Sequence, residues 1–150
     1  LASSAASDVY KRQRYEILMD EYEKQINIEA LTMLDIAKKD ILPAASKFSK
    51  ELTDTIANKK AIGIDLTYEL ETAKKVSEYL TEAYQAMMTL ENDVKKLHEI
   101  DDFEKSAFYV RDFIIQDMAA LRKPCDELEV ITSNRDWPFP TYGKLLFGIQ

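Results

Sequence analysis

From Met19 to Ile56 the apolar residues return every third or fourth position: Met19, Tyr22, Ile26, Ala30, Leu34, Ala37, Ile41, Ala44, Phe48, Leu52 and Ile56. That spacing gathers them on one stripe of an α-helix, whereas a strand would need a repeat of two. Arg14 to Asn58 is therefore expected to form one long helix, roughly 65 Å from end to end at about 1.5 Å per residue. Pro43 lacks a backbone donor and crowds the carbonyl one turn earlier, which places a kink near Ile41 and Leu42. Lys59 and Lys60 suit the negative helix end, and Gly63 lets the chain leave.

Two further stripes follow. The second runs through Leu66, Leu70, Ala73, Val76, Leu80, Ala83, Met87, Leu90, Val94 and Leu97, with Asp65 as its N-cap. From Val76 onward its steps alternate four and three, a short seam of the coiled-coil kind. The third opens on "DDFE", where Asp101 as cap and Glu104 three residues later have the form of a capping box. Phe103, Ala107, Val110, Ile114, Met118, Leu121, Cys125, Leu128 and Ile131 continue it, and Pro124 is expected to bend or locally break it. Short connections near Lys59–Ile64 and His98–Asp101 favour antiparallel neighbours. The expected fold class is all-α: an antiparallel up-down-up bundle of three long helices over residues 14–133, with an extended aromatic C-terminal strap over 134–150. With only three glycines and four prolines among 150 residues, the composition supplies few turns and many helix formers, in agreement with that reading.

A net charge of −7 leaves no basic stripe for releasing phosphate counterions, so nucleic acid is not an expected partner. No apolar run approaches the roughly 20 residues that span a bilayer, and the first residues lack the order of a signal peptide, so no membrane is expected and the cytoplasm is the expected location. Cys125 is the single cysteine and lies on an apolar stripe, where it reads as a small core residue.

The residues that would carry chemistry are sparse. His98 is the one histidine, and residue 95 is lysine, so the paired Glu-x-x-His pattern of di-metal bundles is missing. Gly63, Gly143 and Gly148 form neither a P-loop nor a dinucleotide fingerprint. The acidic groups "MDEYE" and "ENDVKK" read as solvated helix faces with lysine partners nearby. No catalytic, cofactor-binding or metal-binding residue is assigned, and no cofactor is expected within this chain.

The opening stretch has no pattern. Ser3 to Gln13, "SSAASDVYKRQ", back-translates with one permitted choice of codons into the full length of a transposon-derived sequencing adapter. Residues 1–13 are accordingly expected to be adapter-derived, non-native and disordered, and the native frame to have continued upstream of Arg14.

Two stretches stand out from this plain background. In "INIEALTMLDIAKKDILPA", Ile26 to Ala44, the polar Asn27 and Glu29 interrupt an apolar region and are candidates for contact with a partner. In "DWPFPTYGKLLF", Asp136 to Phe147, Pro138 and Pro140 stiffen an extended strap, and Trp137, Phe139, Tyr142 and Phe147 provide apolar area that must dock somewhere. Here the sequence resembles a family: "RYEILMDEYEKQINIEALTMLDIAKKDILPA" and "WPFPTYGKLLF" are similar to the C-terminal region of type III glutamine synthetases, bacterial enzymes that join glutamate and ammonia using ATP. The resemblance implies a truncated, non-catalytic helical region with a structural or assembly role. It also implies ATP and Mg for the parent enzyme, and as partners the upstream catalytic domain and neighbouring subunits of a homo-oligomer. The alternative is a free-standing helical bundle for protein–protein interaction.

Overall fold

The computed structural model describes residues 2–140, and among these there is no strand. The first rod has three parts in one line of chain: α1 (Ala2–Ile36), a π-helical turn (Ala37–Ile41) and α2 (Leu42–Ile62). The second rod is α3 (Thr67–His98). The third is α4 (Phe103–Tyr109), a second π-helical turn (Val110–Ile114) and α5 (Ile115–Ile131). Helix α3 is central and packs on both α2 and α5, which makes the three rods one bundle.

Each junction has a local cause. Gly63 closes the first rod in a left-handed conformation (φ +72°), its N–H reaching the Lys60 carbonyl while the Ile64 N–H reaches the Lys59 carbonyl at 3.1 Å. This double closure satisfies two carbonyls that a helix end otherwise leaves unpaired, and a Cβ would strain that backbone. Asp65 does not occupy the cap position expected of it. The residue preceding α3 is Leu66, and the Asp65 carboxylate, one residue earlier, accepts from the Thr67 hydroxyl at 2.8 Å and from the Thr67 N–H at 3.4 Å. The third rod is likewise capped one residue late, by Asp102 rather than Asp101, through a 2.9 Å bond from the Lys105 N–H.

At Pro43 the helix continues through a π turn, and at Pro124 the expected break is not found. Just before Pro43 the first rod widens into the π turn, where the Leu42 N–H reaches back five residues to the Ala37 carbonyl. A wider turn inserts one residue, relieving the ring's clash with the preceding turn while the helix continues. It also shifts the phase of the stripe, so Ala45 is fully buried where Ala44 was expected. Pro124 sits inside α5, fully buried, and the helix runs through it to Ile131.

The core otherwise follows the three stripes. Leu34 and Phe48 from the first rod, Val76, Leu90 and Val94 from α3, and Ile114, Leu121 and Leu128 from the third rod form one buried cluster. Residues expected to be disordered at the start of the chain do not break the pattern of backbone structure: Ala2–Gln13 continue α1. Ala2, Ala5 and Ala6 are strong helix formers, and extending an existing helix needs no new nucleus. From Ser3 to Leu18 every side chain is exposed.

Candidate functional site

Where α1, α3, α4 and α5 converge, the bundle buries a seam of polar side chains. Glu23 on α1 accepts a hydrogen bond from the Ser106 hydroxyl on α4 at 2.8 Å. One turn along, Asn27 Oδ1 lies 2.9 Å from His98 Nε2 at the end of α3. Three residues after Ser106, the Tyr109 hydroxyl donates to Asp93 Oδ1 on α3 at 2.9 Å, and its ring stacks on Phe113 with centroids 4.7 Å apart. Asp93 is 9% exposed, which corrects the reading of "ENDVKK" as a solvated face.

The electrostatics of this seam centre on two carboxyl groups on neighbouring helices, Asp93 and Asp117. Burial, and then the hydrogen bond and negative charge of Asp93, push the Asp117 carboxyl up to about 7. For Asp93, burial acts upward but is outweighed by hydrogen bonds from Asp117 and Tyr109 and by the Lys96 ammonium 3.7 Å away, which hold it below the usual range. Burial and the bond to Asp93 raise the Tyr109 phenol to about 12, so it stays a donor. With Asp93 buried and Asp117 half-buried, its Oδ2 out of contact with solvent, the seam can hold a proton between helices.

The candidate residues of the strap are only partly described. Trp137 is 8% exposed within the core cluster, and Phe139 packs against that cluster with its ring edge-on to Trp137 at 6.0 Å. Tyr142 and Phe147 lie outside the described residues. Arg135 pairs with Glu51 at 3.1 Å, and Lys47 Nζ lies 3.4 Å from Asp136 Oδ1, close enough for attraction but not aligned as a hydrogen bond. The start of the strap is therefore fastened to α2 of its own bundle.

Asn27 and Glu29 sit about twenty residues down the first rod from these anchors, roughly 30 Å away by helical rise. They form no common site with the strap. Asn27 is half-buried and taken up by His98, while Glu29 is exposed and accepts from Gln25 at 3.2 Å.

Apolar surface remains on the first rod. Tyr15, Met19 and Tyr22 of α1 face Phe103, Phe108 and Ile115 across a groove of about 520 Å³, where the Arg111 guanidinium lies 4.7 Å above the Phe108 ring. Further along, Ile28 and Leu31 are also exposed. The sequence alone singles out none of these as surface residues, because Tyr22 and Met19 fall on the stripe that later enters the core.

The comparisons with known proteins converge on one family. A family model described as the glutamine synthetase C-terminal domain matches residues 7–60, which is the first rod nearly from end to end. A glutamine synthetase from Butyrivibrio fibrisolvens is 33% identical over 91% of this chain, and a type-3 glutamine synthetase from Dictyostelium discoideum is 28% identical over 97%. A glutamine synthetase from Bacteroides fragilis (strain YCH46) is 24% identical over 89%. The chain spans about a fifth of the length of these relatives, 20%, 20% and 19% respectively. With the domain match on its first rod and similarity along nearly its whole length, the chain resembles the C-terminal part of glutamine synthetases, type-3 enzymes among them.

Proposed function

We propose that this helical region serves a type III glutamine synthetase as a non-catalytic structural element, docking against the upstream catalytic domain or a neighbouring subunit of a homo-oligomer. One observation carries the reading: the family match falls on the first rod, the element that leaves the largest share of its apolar side chains uncovered, among them Tyr15, Ile17, Tyr22, Ile28 and Leu31. Ile17, Ile28 and Leu31 fall on one side of the helix and Tyr15 and Tyr22 on the other, and apolar side chains left outside a helix's own core are suited to a partner surface. The whole enzyme would join glutamate and ammonia at the expense of ATP with Mg²⁺, in the cytoplasm. No helix of the described residues is long and apolar enough to cross a membrane. Residues 1–13, read as adapter-derived, stand outside the proposed role.

The side chains of this region do not fit a Mg²⁺ site. Among the described residues no three His, Cys, Asp or Glu groups stand together as such a site would need. Binding of Mg²⁺–ATP is accordingly assigned to the rest of the enzyme. Calorimetry of this chain with Mg²⁺–ATP is expected to show no stoichiometric binding, and a saturable isotherm would overturn the non-catalytic reading. The docking role is tested in a full-length type-3 enzyme by placing aspartate at the positions matching Tyr22 and Ile28. Assembly measured by light scattering, and turnover with it, is expected to fall together; unchanged assembly and turnover would contradict the role.

A further inference from the structure

We infer that Asp93 and Asp117 share a single proton across the α3–α5 contact, and that this proton makes the docking of the third rod sensitive to pH in the neutral range. The hydrogen bonds around the pair point to the proton. Asp117 Oδ2 is buried and no side-chain or backbone donor reaches it. The donor nearest by sequence and fold, the Tyr109 hydroxyl, is committed to Asp93 Oδ1 at 2.9 Å. Lys96 leans toward the same Asp93 oxygen at 3.7 Å, with its own side chain 66% exposed. Two carboxylates facing each other without an intervening donor cannot both be ionised at low cost, so one must supply the hydrogen itself. Asp117 is that one, because Tyr109 and Lys96 both favour the charged form of Asp93.

The surrounding charges leave this assignment standing from every side. From α3 come Asp93 and Lys96, and from α4 comes Tyr109. Glu23 of α1 faces the neighbouring Ser106, with Oε1 buried and unpaired, and adds negative rather than positive character to the region. In the π turn, Arg111 pairs outward with Asp112 at 3.0 Å and is spent at the surface. No cation other than the exposed Lys96 therefore stands, among the described contacts, to neutralise a second carboxylate.

The pH dependence follows in sign from these positions. A carboxyl held at about 7 in the folded chain and near 3.8 when unfolded binds its proton more tightly when folded. Its contribution is fully present below pH 4 and is lost as pH rises toward and through 7. Asp93 acts in the opposite direction only in the acid range, below its ordinary value, so the two windows do not overlap. Above neutrality two negative charges would oppose each other between α3 and α5, and the third rod with its attached strap is the part that loosens. Nothing in this device depends on the enzymatic parent.

The test is made on the full 150-residue chain by urea unfolding between pH 5 and pH 8, with the Asp117 carboxyl followed by carbon-13 NMR. The wild-type unfolding constant is expected to rise roughly tenfold or more over that range, after allowance for partial solvent screening. In Asp117→Asn the amide can still donate to Asp93 without titrating, so the rise should disappear. Asp93→Asn supplies a donor to Asp117 and should return the Asp117 titration to the acid range. An Asp117 carboxyl that titrates with the surface aspartates, or an Asp117→Asn variant with the same pH slope as wild type, would overturn the shared proton. Should Asp117→Asn fold poorly, the wild-type NMR titration alone decides the question.

Discussion

Helix α3 and the first half of α1 are both unbroken helix, yet they dispose of their apolar residues in opposite ways. Val76, Ala83, Met87, Leu90, Val94 and Leu97 of α3 are all buried, held between α2 on one side and α5 on the other. Val9, Tyr10, Tyr15, Ile17 and Leu18 of α1 are all exposed. A helix gains most of its stability from packing its apolar face, since isolated turns are marginal in water. The two regions thus share a backbone form but not a source of stability: α3 is held by the core, while the start of α1 extends from a helix anchored further along, from Glu23 and Ile26 onward.

Substitution should separate the two most clearly in the core. Leu90→Ala and Ile114→Ala each remove a fully buried side chain and are expected to cost about 2–5 kcal/mol in urea unfolding, whereas Leu18→Ala should stay within about 0.5 kcal/mol. Equal effects at Leu90 and Leu18 would erase the distinction. The strap provides an intermediate case. Trp137→Ala empties a nearly buried site but at the edge of the cluster, so a loss of about 3 kcal/mol and a red-shifted tryptophan emission on unfolding of the wild type are expected together. At the ends of the rods the effects are smaller: Gly63→Ala forces a left-handed backbone on a residue with a Cβ, and Asp102→Ala removes a cap bond, each at a cost of about 1 kcal/mol.

What the sequence showed and what it hid follow the same division. The stripe of α3 was legible almost residue by residue, because a periodic apolar pattern reports the face that meets a core. The first rod was legible from Ile26 onward but not before: Tyr22 lies on the same periodic stripe yet remains exposed, since periodicity gives the direction of a face and not whether anything covers it. The π turns were invisible, because one inserted residue leaves the three-four spacing intact and appears only as the exchange of Ala44 for Ala45. The cap of the third rod was displaced by one residue because Asp101 and Asp102 offer the same chemistry, whereas Asp65 stands one residue before the cap position held by Leu66.

The polar seam was the least legible part. Asp93 stands beside Val94 on a strongly apolar stripe, which is a signal of a kind, but its partner Asp117 is on another helix and 24 positions away. Only the packing of α3 against α5 brings the two together. Asn27, singled out as a candidate contact for a partner, lies 2.9 Å from His98 of the same chain. Of the strap's aromatic residues, Trp137 and Phe139 pack against the core cluster of the same bundle.

The division between a core-held bundle and an uncovered arm is tested most directly by native-state hydrogen exchange on the isolated chain, resolved by residue. The amides of Val76–Leu97 and Ile114–Leu128 are expected to exchange only through global unfolding, with protection that falls in step with added urea. Those of Ser3–Leu18 should exchange orders of magnitude faster through local fraying that urea hardly changes. Uniform protection from Ser3 through Leu128 would show that the arm is held as firmly as the core, and would contradict the account.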